Sequence, residues 1–86
     1  MKKEIELIEY NEKKGIQFEW DKGFSIRTDV NGGEIVISAN SEGLTSLARH
    51  LLTLAQSAVP VGSHVHLDEY NSLEDGSVDL MIEKIM

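Results

Sequence analysis

Through its first half the chain alternates apolar and polar positions, the two-residue period of extended segments with one covered face. Ile16, Phe18 and Trp20 alternate with Gln17 and Glu19, and Phe24, Ile26, Thr28 and Val30 alternate with Ser25, Arg27 and Asp29. Asp21-Lys22-Gly23 between them reads as a hairpin loop, and Asn31-Gly32-Gly33 turns the chain into the denser apolar run from Glu34 to Ala39. Residues 4–10 predict a further strand, its split parity (Ile5 and Leu7 against Ile8 and Tyr10) reconciled by a bulge. Asn11-Glu12-Lys13-Lys14-Gly15 supplies the turn after it. The expectation for this half is a four-stranded meander.

The period then becomes helical. Leu44, Leu47, Ala48, Leu51, Leu52, Ala55, Ala58 and Val59 recur at three- and four-residue spacing, while Thr45, Ser46, Arg49, His50, Thr53, Gln56 and Ser57 fill the other side. This predicts an amphipathic helix capped by Asn40 or Ser41, with Glu42 at the positive end of its dipole and Pro60 and Gly62 ending it. Leu51 is expected in the core, and His50 at the surface or boundary. Gly43 lies in the first turn, where Gly costs about 1 kcal/mol relative to Ala, so a close backbone approach is expected there. Two more strands, His64 to Glu69 and Ser77 to Ile85, flank a polar loop containing Asp75-Gly76.

The whole predicts one α+β domain over residues 1–86. Its architecture is a largely antiparallel sheet of about six strands (ββββ-α-ββ) with the helix packed on one face. Ile16, Phe18, Phe24, Ile26, Val65, Leu67, Val78, Leu80 and Ile82 are expected to meet the helix, with Trp20 in or at the rim of the core.

Charge and composition narrow the functions. Eight Lys and Arg stand against fifteen Asp and Glu, a net charge of −7 that argues against a nucleic-acid or anionic-membrane binder and favours a basic partner. The absence of cysteine excludes disulfides, thiolate metal sites and a cysteine nucleophile, and points to the cytoplasm. Met1-Lys2-Lys3 is followed by Glu4 and Glu6 rather than by the apolar core of a signal peptide. Leu51 to Ala55, the most apolar stretch, is too short to span a bilayer.

The sharpest local feature is Gly62-Ser63-His64-Val65-His66-Leu67-Asp68. On a strand, His64, His66 and Asp68 share one face while Val65 and Leu67 take the other. Two imidazoles and a carboxylate so spaced suit zinc or another divalent ion if a further ligand completes the set, and no second cluster supplies one. A polar strand face, structural or in contact with a partner, is therefore the preferred reading, with no metal or other cofactor. A small metal-binding protein or metal-dependent enzyme using that face is the alternative. Ser63 and His64 face opposite sides, and no Gly-x-Ser-x-Gly elbow accompanies them, so no catalytic residue is assigned. Residues 44–86 hold six acids (Asp68, Glu69, Glu74, Asp75, Asp79, Glu83) against Arg49 and Lys84, which is either a solvated face or a dock for a basic surface such as a nuclease cleft. The contiguous candidate partner-binding set is His64, His66, Asp68, Glu69, Glu74 and Asp75.

The run Asn40-Ser41-Glu42-Gly43-Leu44-Thr45-Ser46-Leu47-Ala48-Arg49-His50-Leu51-Leu52, the Gly62 to Asp68 segment and the closing Val78-Asp79-Leu80-Met81-Ile82-Glu83-Lys84 together resemble the immunity protein 32 family. The resemblance covers the second half of the chain and Glu34 to Ala39 before it; residues 1–30 carry no matching motif. It implies a small bacterial α+β protein of a polymorphic-toxin system, which binds a cognate toxin domain and occludes its active site or an adjacent surface without catalysis. It assigns no contact residue.

Overall fold

A computed structural model describes residues Met1–Met86. Its elements in chain order are β1 (Ile26–Asn31), β2 (Glu34–Ala39), α1 (Ser41–Ala55), β3 (His64–Leu67) and β4 (Leu80–Glu83). β1 pairs antiparallel with β2, and β3 antiparallel with β4, in two separate two-stranded sheets. The fold is α+β, with four strands rather than the six expected.

The β1–β2 hairpin follows from its turn. Asn31 pairs with Glu34 across Gly32 and Gly33, whose φ angles of 55° and 83° are the left-handed pair of a type I′ turn. On the far side of β1, Glu74 N–H donates to the Ile26 carbonyl (2.9 Å) and Val78 N–H to that of Thr28 (3.1 Å). Ser77 Oγ accepts from Thr28 N–H at 3.2 Å, and Thr28 Oγ1 donates to the Val78 carbonyl. Side-chain hydroxyls thus replace part of a ladder at Ser77 and Val78, and the last regular strand begins only at Leu80, opposite Leu67 where its partner strand ends.

Asn40 caps α1. Its Oδ1 accepts from Gly43 N–H at 2.8 Å and from Ser25 N–H at 3.0 Å, and its Nδ2 donates to the Gly23 carbonyl at 2.9 Å. A Cβ on Gly43 would stand 2.6 Å from the Ser25 carbonyl and 2.9 Å from Ile26 Cγ1, so the helix seats on β1 only because that Cβ is missing. At the other end α1 has no basic residue in its last turn, and Lys84 replaces one. Its Nζ donates to the carbonyls of Gln56 and Val59, both at 2.8 Å.

Residues 4–10 and 16–20 form no strands. Residues 16–20 pack on the core with extended-chain alternation but without a β ladder, and side chains of α1 and of its C-cap residue Gln56 supply hydrogen bonds to the segment from Ile8 to Asp21. Gln56 accepts from Tyr10 N–H at 3.0 Å and donates to the Ile8 carbonyl at 3.2 Å. His50 Nε2 lies 3.1 Å from the Glu19 carbonyl. Ser46 Oγ accepts from Asp21 N–H at 2.8 Å, and Arg49 Nη1 reaches Asp21 Oδ1 at 2.7 Å. Residue numbers rise along this strap as they fall along the helix, so the two run antiparallel.

This strap sets the rotation of α1. Its buried residues are Gly43, Ser46, Leu47, His50, Thr53 and Leu54, so the polar flank is covered. Leu44, Leu51 and Leu52, expected inside, are exposed; Leu51 keeps 48% of its surface in water. The core is Ile26, Leu47, Leu54, Val65, Leu67 and Leu73, with Ile16, Phe18, Trp20, Phe24, Leu80 and Ile82 packed against it. Of the expected sheet face only Val78 lies outside, because it sits in the irregular stretch before β4. No helix is long and apolar enough to cross a membrane.

Candidate functional site

His64 and His66 stand on the exposed face of β3 while Val65 and Leu67 are buried, as the alternation requires. His66 Nε2 lies 3.4 Å from Asp79 Oδ2, and His64 Nδ1 lies 3.3 Å from the Gly62 carbonyl. Asp68 does not join them. Its Oδ1 accepts from the N–H groups of Tyr70 (2.9 Å) and Asn71 (3.0 Å), and its carbonyl from Asn71, Ser72 and Leu73. That carboxylate starts a turn, and no group of three or more His, Asp or Glu side chains is placed to hold a metal ion.

The turn opens a loop from Asp68 to Asp79 that is fixed at several points. Asn71 accepts from Asp68 N–H (3.0 Å) and donates to the His66 carbonyl (2.8 Å), while the Leu73 side chain plugs the core. Glu69 Oε2 accepts from Gly76 N–H at 2.8 Å, and Glu74 Oε1 from Ser25 Oγ at 2.7 Å. Arg27 donates to the Asp75 carbonyl at 2.9 Å and to Asp29 Oδ2 at 3.2 Å. Asp75 and Asp79 stay exposed, so the loop gathers the expected acids on one ordered surface. Five of the six candidate residues are exposed in or beside this loop, and Asp68 is half-buried beneath it.

Tyr70 escaped the sequence reading. It projects from the loop with 97% of its surface exposed. The available signal was an aromatic residue in the polar run Asp68-Glu69-Tyr70-Asn71-Ser72, where no core periodicity asks for one.

His50, whose pKa is lowered, lies elsewhere. It is 0% exposed, edge-on to Phe18 (4.7 Å between centroids) and Trp20 (4.2 Å). Because the Glu19 carbonyl can only accept, Nε2 carries the proton, and the buried Nδ1 has no partner. Burial lowers its pKa from 6.5, the Arg49 charge adds to that, and the Glu19 hydrogen bond opposes it. A neutral imidazole enclosed by aromatic rings, with no nucleophile beside it, is a packing group.

No curated protein and no solved structure matches the chain. The family model of immunity protein 32 matches residues 34–85, a span that runs from β2 through α1, β3 and the acidic loop to β4. The chain belongs to the immunity protein 32 family.

Proposed function

We propose that this protein neutralises a cognate toxin by binding it, without catalysis, and that it does so in the cytoplasm. The observation that carries the reading is the match to an immunity-protein family over the stretch that builds the ordered acidic loop. Tyr70, exposed in the opening turn of the loop, is the anchor, being a residue type enriched among binding hot spots. Glu69, Glu74, Asp75 and Asp79 form the acidic surround that steers a basic toxin surface and selects against other partners, with His66 beside them. His64 extends the contact along β3, and Asp68 holds the loop in shape.

Co-expression with the toxin domain encoded beside this gene tests the reading. Cells should survive, and the two proteins should co-elute from a sizing column. Tyr70→Ala should leave folding unchanged and speed dissociation. Asp75→Lys with Asp79→Lys should slow association and reduce its salt dependence. Cell death despite soluble, folded protein, with no complex on the column, would sink the proposal.

A further inference from the structure

β2 is an edge strand without the usual protection. One side pairs with β1, and no hydrogen bond joins Ile35 or Ile37 to any group outside that hairpin. Ser25 and Asn40 share a hydrogen bond just beyond the ladder, so alternation aims the N–H and C=O of Ile35 and Ile37 away from β1. Edge strands are ordinarily blunted by lysine, proline, a bulge or an inward charge. Glu34-Ile35-Val36-Ile37-Ser38-Ala39 has none of these, its register with β1 is unbroken, and its one charge is at the end. Ile35 is 70% exposed and Ile37 42%, and Val30, cross-strand from Ile35, is 57% exposed.

We propose that two copies of this chain pair antiparallel through β2, about a twofold axis beside Val36. The strand's own side chains argue for a second copy as the occupant. Centred on Val36, Ile35 of each chain faces Ile37 of the other, and each such pair exchanges both of its N–H···O bonds. Glu34 falls opposite Ser38, so no like charges meet. Val30, Ile35 and Ile37 of both copies then form one continuous apolar patch on one face. Shifting the register by two residues instead sets Ile35 against Ala39 and Val36 against Ser38, a poorer match. The acidic loop lies across β1 from this edge, with residues 74–78 on the opposite side of β1, so pairing leaves it free.

The net charge of −7 on each copy opposes association, and salt screens it. Dimerisation therefore strengthens with ionic strength, opposite in sign to the encounter with a basic toxin, and the two proposals stand or fall separately.

Sedimentation velocity on the full chain at low and high salt, over a range of concentrations, is the test. The wild type should form a dimer that tightens with salt. Ile37→Lys and the more exposed Ile35→Lys should each weaken it more than about tenfold with unchanged circular dichroism. Because the chain has no cysteine, Val36→Cys should oxidise to a covalent dimer, since facing Cα atoms at that position lie within disulfide reach. A wild type that remains monomeric at its solubility limit overturns the proposal. So does a dimer that survives both lysines, or one that cross-links through Leu51→Cys on the helix and not through Val36→Cys.

Discussion

On one flank of α1, Ser46, His50 and Thr53 are buried; on the other, Leu44, Leu51 and Leu52 meet solvent. A helical wheel drawn from polarity alone would place the two flanks the other way round. The difference lies in what each flank meets. Residues 8–10 and 16–21, on either side of the Asn11–Gly15 turn, belong to no strand, and an unpaired backbone group costs free energy when covered. Ser46, His50 and Gln56 satisfy that backbone at Asp21, Glu19, Tyr10 and Ile8, so the polar side chains hold the strap down. Leucine side chains could bury the strap's apolar residues but could not pair its amides.

The comparison can be broken at several points. The largest effect should come from the residues between the flanks. Leu54→Ala should cost about 2–5 kcal/mol in denaturant unfolding, as a buried leucine truncation does. Ser46→Ala should cost about 1–3 kcal/mol, because the Asp21 amide loses its partner while staying partly covered. Leu51→Ala, although chemically identical to the core truncation, should cost about 1 kcal/mol or less. Equal losses for Leu51→Ala and Leu54→Ala would mean that α1 is rotated away from the arrangement described.

A smaller, pH-dependent effect tests the polar flank through His50. The unfolded imidazole titrates near 6.5 and the buried one lower, so between those values the unfolded chain binds more protons. The contribution of neutral His50 is fully present above about pH 6.5 and is lost as pH falls through the folded value. Urea midpoints should therefore decline from pH 7.5 towards 5.5, and His50→Gln, which keeps a donor for Glu19 but does not titrate, should flatten that decline. An unchanged slope in the variant would place the proton uptake elsewhere.

Features set by a few neighbouring residues were legible in the sequence. Asn31-Gly32-Gly33 announces its turn, Asn40 its cap, Gly43 its close contact, and Val65 and Leu67 their inward face. The strap was half legible. Alternation at Ile16, Phe18 and Trp20 correctly implies an extended segment with one covered face, but it carries no information on whether a strand or a helix supplies the hydrogen bonds. Leu73 was missed as core because a single apolar residue in a loop has no periodicity to reveal it. At the candidate site, the outward histidines and the clustering of acids were readable, whereas the use of Asp68 within its own turn and the exposure of Tyr70 depend on how the loop closes.

Amide hydrogen exchange followed by NMR tests the central claim, that helix side chains hold the strap, most directly. The amides of Tyr10 and Asp21 have no backbone partner and donate only to Gln56 and Ser46, so each should be protected well beyond its random-coil rate. Protection at Asp21 should disappear in Ser46→Ala, and protection at Tyr10 in Gln56→Ala, while the β1–β2 amides keep theirs. Random-coil exchange at both positions in the wild type would contradict the account, as would protection that survives both substitutions.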